Sequence, residues 1–561
     1  MHKKQIVMRC FFMNRYKLTF EPGKHVVDIT EGTTIRQAMI TAGLDFDFPC
    51  GGRGACGKCR IKILDKDIPV TEKDKKILGE KELTDGVRLA CQTVIHKSMA
   101  VQLGSNMKPT YNILMSNIER IFTIEPLINK YYIEVELPTL YDQKSDLKRL
   151  KEKLFQQNYN FKDLKIQLPV LRDLPDKMRE AKHLITVISD GKEILGTEKG
   201  NTQSKLLGVA LDIGTTTVVA YLMDLHTGKE LAVASSLNPQ VKFGADVISR
   251  TTYANKNEDG INLMQKVVIK LINQLIGDMV ENSVFTRTDV YAITIVGNTC
   301  MQHLFMGLTP RYIAVLPYVP VISETIDLSS VELQIHINPA GRVFILPNIA
   351  GFVGADTVGV IMATELDRSS EIKLTIDIGT NGEMVLGSFK KLVACSTAAG
   401  PAFEGAQISS GMRGAVGAID HVHFGKTLTY TVIGNESPRG ICGSGLMDII
   451  AGFVTMGIVN KRGKLLSPDR FIKSEAKTFA KNIITYDKTN AFLLVPETES
   501  AHGRPIMVTQ NDISSLQLAK GAISAGIIVL LEEIGITMND IQEVLLAGAF
   551  GNYMDPHSAC V

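Results

Sequence analysis

The chain has 561 residues, 45% apolar and 21% charged, which excludes fibrous repeats and long disordered tracts and leaves room for three or four domains of about 150 residues. Lys plus Arg total 61 against 59 Asp plus Glu, so a net charge of +2 offers no field to hold a polyanion, and nucleic acid is not an expected partner. The uncharged run Gly521–Leu531, between Lys520 and Glu532, has about half the roughly 20 residues that span a bilayer, so no membrane partner is expected.

At the N-terminus, Arg9, Asn14, Arg15 and Lys17 interrupt any signal-peptide core; a cytoplasmic location is expected, with Met13 as an alternative start. Tyr16 to Asp28 reads as strand, turn, strand around Pro22-Gly23. A short helix follows from Thr33, its cap, to Gly43, its stop, with Ile35, Ala38, Met39 and Ala42 on one face. These elements belong to an α+β unit over residues 14–101.

That unit carries Cys50-Gly-Gly-Arg-Gly-Ala-Cys56-Gly-Lys-Cys59, with Cys91 following after 31 residues. Four thiolates hold a [2Fe-2S] cluster, two per iron, and Gly51, Gly52, Gly54 and Gly57 let backbone N–H groups approach the sulfurs. A four-cysteine zinc site is the competing reading, although zinc knuckles usually come as two short pairs rather than three clustered cysteines and one distant. Cys10, Cys300, Cys395, Cys442 and Cys560 are scattered and read as ordinary thiols.

Residues 102–205 are more charged, with a helix at Ser145–Gln157, a hairpin at Asp190-Gly191 and no chemical motif; they read as a linker and a small middle α+β domain. From 206 to 561, strands alternate with helices, and Leu211-Asp212-Ile-Gly-Thr-Thr-Thr217 is echoed by Ile376-Asp377-Ile-Gly-Thr-Asn-Gly-Glu383, an internal duplication. Each copy ends a strand with Asp, then Gly, then small polar residues, which suits Mg²⁺-nucleotide binding.

On this reading Asp212 and Asp377 hold Mg²⁺, while Gly214, Thr215, Thr216 and Thr217 in one loop and Gly379, Thr380, Asn381, Gly382 and Glu383 in the other grip phosphates. Gly548, Ala549 and Gly551, in Ala547-Gly-Ala-Phe-Gly551, form a small-residue surface for adenosine. Glu404, Arg413 and the Gly443-Ser444-Gly445 turn line the cleft or serve as structural turns. Asp246 and Asp356 share a Gly-Ala-Asp signature; each positions water or magnesium, or caps a helix. His421 and His423, on one strand face, and Met301-Gln-His303 read as packing or surface residues, and no Walker A loop is present.

The C-x5-C-x2-C spacing resembles the ferredoxins of corrinoid activators and the adrenodoxin-like proteins, within the β-grasp superfamily. The two phosphate elements and one adenosine element resemble the acetate and sugar kinase, heat-shock chaperone and actin superfamily. Together with Asn238-Pro-Gln240, Val296-Gly-Asn298 and Ala399–Gly405, they make nearly the whole chain similar to the ATP-dependent reductive activators of corrinoid proteins. The resemblance implies a fold of β-grasp [2Fe-2S] domain, small middle domain and duplicated actin-like ATPase. It implies ATP-dependent reduction of Co(II) to Co(I) in a corrinoid methyltransferase protein, with an upstream electron donor and a homodimer compatible with the family's habit. A small-molecule kinase with a regulatory iron–sulfur domain and a nucleotide-binding redox sensor are the alternatives. The family's chain continues past the Ala-Gly-Ala-Phe-Gly element, so a closing helix is expected to be missing after Val561.

Overall fold

The computed structural model describes residues 15–42, 44, 46, 52, 54, 57–65, 69–103, 123–157, 164–281, 283–379, 381–400, 402–403, 405, 408–548 and 553–561. Of the sequence-derived candidates, Cys10, Gly43, Cys50, Gly51, Cys56, Thr380, Glu404, Ala549 and Gly551 lie outside those residues.

The N-terminal unit is a five-stranded sheet in the order His25–Thr30, Arg15–Glu21, Met99–Leu103, Arg60–Ile63, Val87–Leu89. Only the Arg15–Glu21 and Met99–Leu103 strands run parallel. Leu18 and Phe20 alternate inward along the first strand and meet Ile35, Ala38 and Met39 of the Ile35–Thr41 helix. The cap of that helix is Thr34, not Thr33: its side chain accepts from the Gln37 amide at 3.3 Å, and the helix closes at Ala42. Neighbouring threonines are both competent caps, and the backbone turn chooses between them.

Residues 123–205 form a second unit, a four-stranded sheet ordered Asn129–Glu134, Leu184–Ser189, Glu193–Lys199, Lys165–Ile166. The helices Asp146–Gln156 and Leu168–Glu180 cover it with Leu150, Leu154, Val170, Leu174 and Met178. The expected helix is present with Ser145 as its cap, and the hairpin turns at Asp190-Gly191. The unit is fastened to the next by Ile128, Ile188 and Leu195 packed on Leu206, Tyr291 and Ala340. Beside them lies a buried polar knot in which Lys130 Nζ reaches Glu198 at 2.7 Å and the Tyr291 hydroxyl at 2.8 Å.

The remainder consists of two halves built on one plan. In the first, the Leu207–Ile213 strand pairs antiparallel with Thr217–Asp224 on one side and parallel with Val290–Val296 on the other. In the second, Lys373–Ile378 pairs antiparallel with Gly382–Ser388 and parallel with Glu543–Ala547. Each hairpin continues into a third antiparallel strand, Glu230–Leu237 or Lys391–Thr397. The echo seen in the sequence is therefore a repeated topology. The 22-residue helix Gly260–Glu281 covers the first sheet, and the 25-residue helix Gln510–Ile534 packs on the second.

That last helix corrects the length argument made for Gly521–Leu531. By length and composition it is long and apolar enough to cross a membrane. Helix length is set by its caps, Thr509 and Gly535, not by the uncharged run inside it, and Ile513, Leu516, Ala519, Leu530 and Leu531 are buried in the core of the second half.

Candidate functional site

The first loop, Gly214–Thr217, is held by side chains from three distant segments. Asn238, fully buried, donates its amide to the Gly214 carbonyl at 2.7 Å, and its backbone N–H donates to the Thr216 carbonyl at 2.8 Å. Asn298, the cap of the Thr299–Met306 helix, donates to the Thr215 hydroxyl at 2.9 Å. The fully buried Arg250 donates to the Thr215 carbonyl, to Gly244 O at 2.9 Å and to Gln240 Oε1 at 3.3 Å. The loop's carbonyls and one hydroxyl are thus engaged from behind, which leaves its shape fixed before any ligand arrives.

Glycine is required where backbones touch. A Cβ on Gly214 would stand 2.6 Å from Thr217 O, one on Gly297 2.7 Å from Ile213 O, and one on Gly354 2.5 Å from the Asn298 Cα. This packing brings the start of the Ala355–Thr364 helix against the first loop, with the Ala355 N–H donating to Gly297 O at 3.0 Å. Asp356 sits in the first turn of that helix and faces the cleft. The two Gly-Ala-Asp aspartates therefore divide: Asp246 is the cap of the Val247–Lys256 helix, closing a capping box with Ser249, while Asp356 is not a cap.

In the second half, Asp377 and Glu383 are register partners on adjacent antiparallel strands, so their side chains share one face. Ser396 donates its hydroxyl to Glu383 at 3.0 Å. Gly548 follows the parallel strand that ends beside Asp377, and with φ of +82° its missing Cβ leaves room for the Asp377 carboxylate, 2.4 Å from where that carbon would be.

Charge links the carboxylates of the two halves: Asp356 acts on Asp212, Asp377 and Glu383, and Asp377 acts on Asp212 and Glu383. Burial pushes Glu383 up to about 8, with Asp356 and Asp377 adding repulsion and the Ser396 hydrogen bond opposing it. Asp377 rises to about 7 through burial and then Asp356, and burial raises Asp356 as well. Asp212 rises to about 7 through the crowding of protein around it, then through Asp356 and Asp377. More than a third of its surface nevertheless remains open to water, so it lines a cleft rather than a sealed core, and cleft water moderates that rise.

A set of like charges with raised proton affinity is a site that favours a cation. Among the described residues no three His, Cys, Asp or Glu side chains converge tightly enough to chelate a metal by themselves. That donor set fits Mg²⁺, which keeps waters and takes only one or two carboxylates together with nucleotide phosphates.

Gly443, Ser444 and Gly445 begin the Gly443–Met456 helix and are buried. Gly445 allows close helix–strand contact, since its Cβ would stand 2.4 Å from Ile419 O, and the Ser444 hydroxyl meets Cys442 Sγ at 3.3 Å. His303 is buried, with one ring nitrogen on Thr299 O at 2.6 Å and the other accepting from the Val321 N–H at 3.0 Å. His421 and His423 are exposed on one strand face, with His421 held by Asp448 at 3.1 Å.

In the N-terminal unit, Cys59 and Cys91 are buried cysteines whose sulfurs lie 3.3 Å apart, within reach of one iron. The Gln92 amide donates to Cys91 Sγ at 3.3 Å and to Gly52 O at 2.9 Å, tying the glycine loop to the second cysteine segment. Gly52, Gly54 and Gly57 have φ of +90°, +70° and +65°, the left-handed geometry the loop demands. Paired thiols with an amide donor to sulfur fit a [2Fe-2S] cluster. Cys300, Cys395, Cys442 and Cys560 are free thiols elsewhere in the chain.

Family models match the chain in succession: a 2Fe-2S iron–sulfur cluster binding domain over residues 18–96, the RACo linker region over 117–204, the RACo middle region over 207–369, and the ASKHA C-terminal domain of RACo over 371–561. The corrinoid activation enzyme RamQ of Eubacterium limosum is 34% identical over 554 residues, covering 95% of this chain and 86% of RamQ. A Methanosarcina barkeri reductase, named for a Co(II) methylated-amine-specific corrinoid protein, is 24% identical over 63% of this chain and 65% of its own length. A solved structure of a reductive activator for a corrinoid, iron–sulfur protein superposes with a TM-score of 0.70 at 34% identity, over 97% of this chain and 88% of that one. With its 2Fe-2S domain, linker region, middle region and ASKHA C-terminal domain in that order, the chain belongs to the RACo family of corrinoid activation enzymes.

Proposed function

We propose that the protein reduces the Co(II) centre of a corrinoid protein to Co(I) at the expense of ATP hydrolysis. The observation that carries this reading is the coexistence, in one chain, of a paired-thiol iron–sulfur loop and a two-sided acidic cleft. An ordinary ferredoxin reaction runs downhill and needs no nucleotide; ATP is useful where the acceptor is the harder centre to reduce, each ~59 mV being tenfold in the equilibrium.

Three units carry the work: residues 14–101 for the cluster, 102–205 as linker and middle domain, and 206–561 for the nucleotide. Cys50, Cys56, Cys59 and Cys91 hold the cluster, which when bound supplies a one-electron donor; an external reductant replenishes it. Asp212 and Asp377 hold Mg²⁺ directly or through water, and Asp356 and Glu383 add charge that favours it. Gly214–Thr217 and Gly379–Gly382 receive the phosphates, and Gly548, Ala549 and Gly551 the adenosine. Gly443–Gly445 support the adenosine wall from inside. Asn238, Arg250 and Asn298 fix the first loop from behind.

The test is visible spectroscopy on the reduced, anaerobic protein mixed with a Co(II) corrinoid protein. Co(I) is expected only with Mg-ATP. Asp212→Asn is expected to lose ATP hydrolysis and with it Co(I) formation while retaining the cluster absorption. Normal Co(I) formation by this variant would overturn the assignment of Asp212, and ATP-independent formation by the unaltered protein would overturn the reading as a whole.

A further inference from the structure

The iron–sulfur unit touches both halves of the nucleotide domain, and it does so through residues of the cluster loop and its neighbour. Lys58, adjacent to Cys59, donates its ammonium to the carbonyls of Gly405, at 2.8 Å, and Gly411, both in the second half. Arg36 donates to the Lys242 carbonyl in the first half. Arg36 also lies against the cluster loop, its Cδ and Nε 3.1 Å from where a Gly52 Cβ would be. At the rim, Arg504 of the second half approaches Glu82 at 3.6 Å, on the same oxygen that Arg60 holds at 3.1 Å.

Neither anchor is remote from the nucleotide elements. Lys242 ends the short 3₁₀ helix Pro239–Lys242, whose cap is Asn238, the residue that holds Gly214 and Thr216. Gln240, in the same turn, accepts from Arg250, which in turn holds Thr215. On the other side, the Gly405 and Gly411 carbonyls belong to the loop region that Asp512 pins by accepting from Ser409 N–H at 2.8 Å. The cluster loop has little slack of its own: a Cβ on Gly57 would strike Ile77 at 2.4 Å, and one on Gly54 would strike Gln92 at 2.6 Å.

We infer that Arg36 and Lys58 are positioning residues that make the placement of the iron–sulfur loop depend on the nucleotide state of the two halves. A rigid loop pinned to two bodies keeps both pins only while those bodies hold one separation. The carboxylates that face one another across the cleft set that separation, and Mg-nucleotide changes it by neutralising them. When the separation changes, the ammonium beside Cys59 moves relative to its two carbonyls or leaves them, altering the charge and solvent next to the ligand loop. This inference rests on the proposed function in taking the cluster as the electron donor and the acidic cleft as the Mg-nucleotide site.

The experiment uses the full-length, cluster-loaded protein in three forms: unaltered, Lys58→Gln and Arg36→Gln. Two quantities are read with and without a non-hydrolysable Mg-ATP analogue, namely the midpoint potential of the cluster by optical titration and hydrogen–deuterium exchange at 238–244 and around Gly405 and Gly411. In the unaltered protein both quantities are expected to respond to the analogue. In Lys58→Gln the midpoint becomes insensitive to it and exchange around Gly411 is high in both states; in Arg36→Gln the same holds at 238–244, with the visible cluster spectrum unchanged. If Lys58→Gln fails to retain the cluster, Arg36→Gln decides. Retention of the nucleotide-dependent midpoint shift in the cluster-bearing variants, or its absence from the unaltered protein, overturns the inference. ATP-dependent Co(I) formation without any such shift removes this inference alone, whereas an intact shift without Co(I) formation removes the proposed function instead.

Discussion

Replacing Glu383 by Gln tests the electrostatics of the cleft apart from catalysis. Glu383 is 8% exposed, and its proton affinity rises from 4.5 to about 8. A carboxyl whose folded value exceeds its unfolded one stabilises the fold fully below pH ~4.5 and loses that contribution as the pH climbs toward about 8. At about 1.36 kcal/mol per unit, the ligand-free fold forfeits roughly 3 kcal/mol at pH 7 and up to about 5 at pH 8. These are upper bounds, because Asp356 and Asp377 share the same protons. Gln keeps an acceptor for the Ser396 hydroxyl and has no proton to hold. The variant should therefore match the unaltered protein near pH 4.5 and exceed it increasingly above. At about 2–4 °C per kcal/mol for a unit of this size, the gain in the second half's melting temperature at pH 7 has an upper bound of roughly 6–12 °C. Scanning calorimetry without nucleotide, between pH 5 and 8, measures it. A gain that does not grow with pH, or a loss at pH 8, would refute the reasoning.

Other substitutions probe the frame. Asn238→Ala removes the donor to Gly214 O and the acceptor of the Gln240 N–H, two buried hydrogen bonds worth about 2–4 kcal/mol with the stranded groups included; nucleotide affinity by calorimetry should fall at least about tenfold, and an unchanged affinity would remove this residue from the loop's support. Gly548→Ala places a carbon 2.4 Å from the Asp377 carboxylate at a φ of +82°, so ATP hydrolysis should collapse while cluster absorption persists. Lys130→Met leaves the partly buried Glu198 without its cation but still held by the Tyr291 hydroxyl, an expected cost of at most about 3 kcal/mol, and loosens the 123–205 unit from the first half; proteolysis between residues 199 and 206 should accelerate, and an unaltered cleavage pattern would contradict the role of this knot.

The cluster loop and the duplicated nucleotide elements were legible in the sequence because their chemistry is local. Closely spaced cysteines among glycines, or Asp-Ile-Gly at the end of an apolar run, state their geometry within ten residues. The supports were not legible. Arg250 looks like any helical arginine, yet it is fully buried and holds a carbonyl 35 residues away. Asn238 and Asn298 stand in motifs that carry the resemblance, but their roles depend on long-range pairing: antiparallel strands bring Asn238 to the first loop, and parallel strands bring Asn298 there. Asp246 and Asp356 share three residues of sequence and differ in role because one precedes its helix while the other lies within the first turn. The contacts of Lys58 span more than 340 residues, and no periodicity announces such a partner.

On the proposed reading, the acidic cleft is also what would couple nucleotide to domain geometry. Asp212 and Asp356 belong to the first half, Asp377 and Glu383 to the second; Asp356 raises the proton affinity of the other three, and Asp377 that of Asp212 and Glu383. Without a cation the two halves therefore repel one another where they face, and near neutral pH part of that repulsion is relieved by holding protons. In the proposed function, Mg²⁺ arriving with nucleotide would relieve it otherwise, by displacing those protons and favouring approach of the halves. Cation binding should then release protons, and more of them at pH 6.5 than at pH 8.5, where fewer remain to be displaced. Such closure would take its selectivity for the metal–nucleotide complex from the same charges: free nucleotide adds phosphate charge to a site that is already acidic, whereas the magnesium complex brings a cation to offset the four carboxylates.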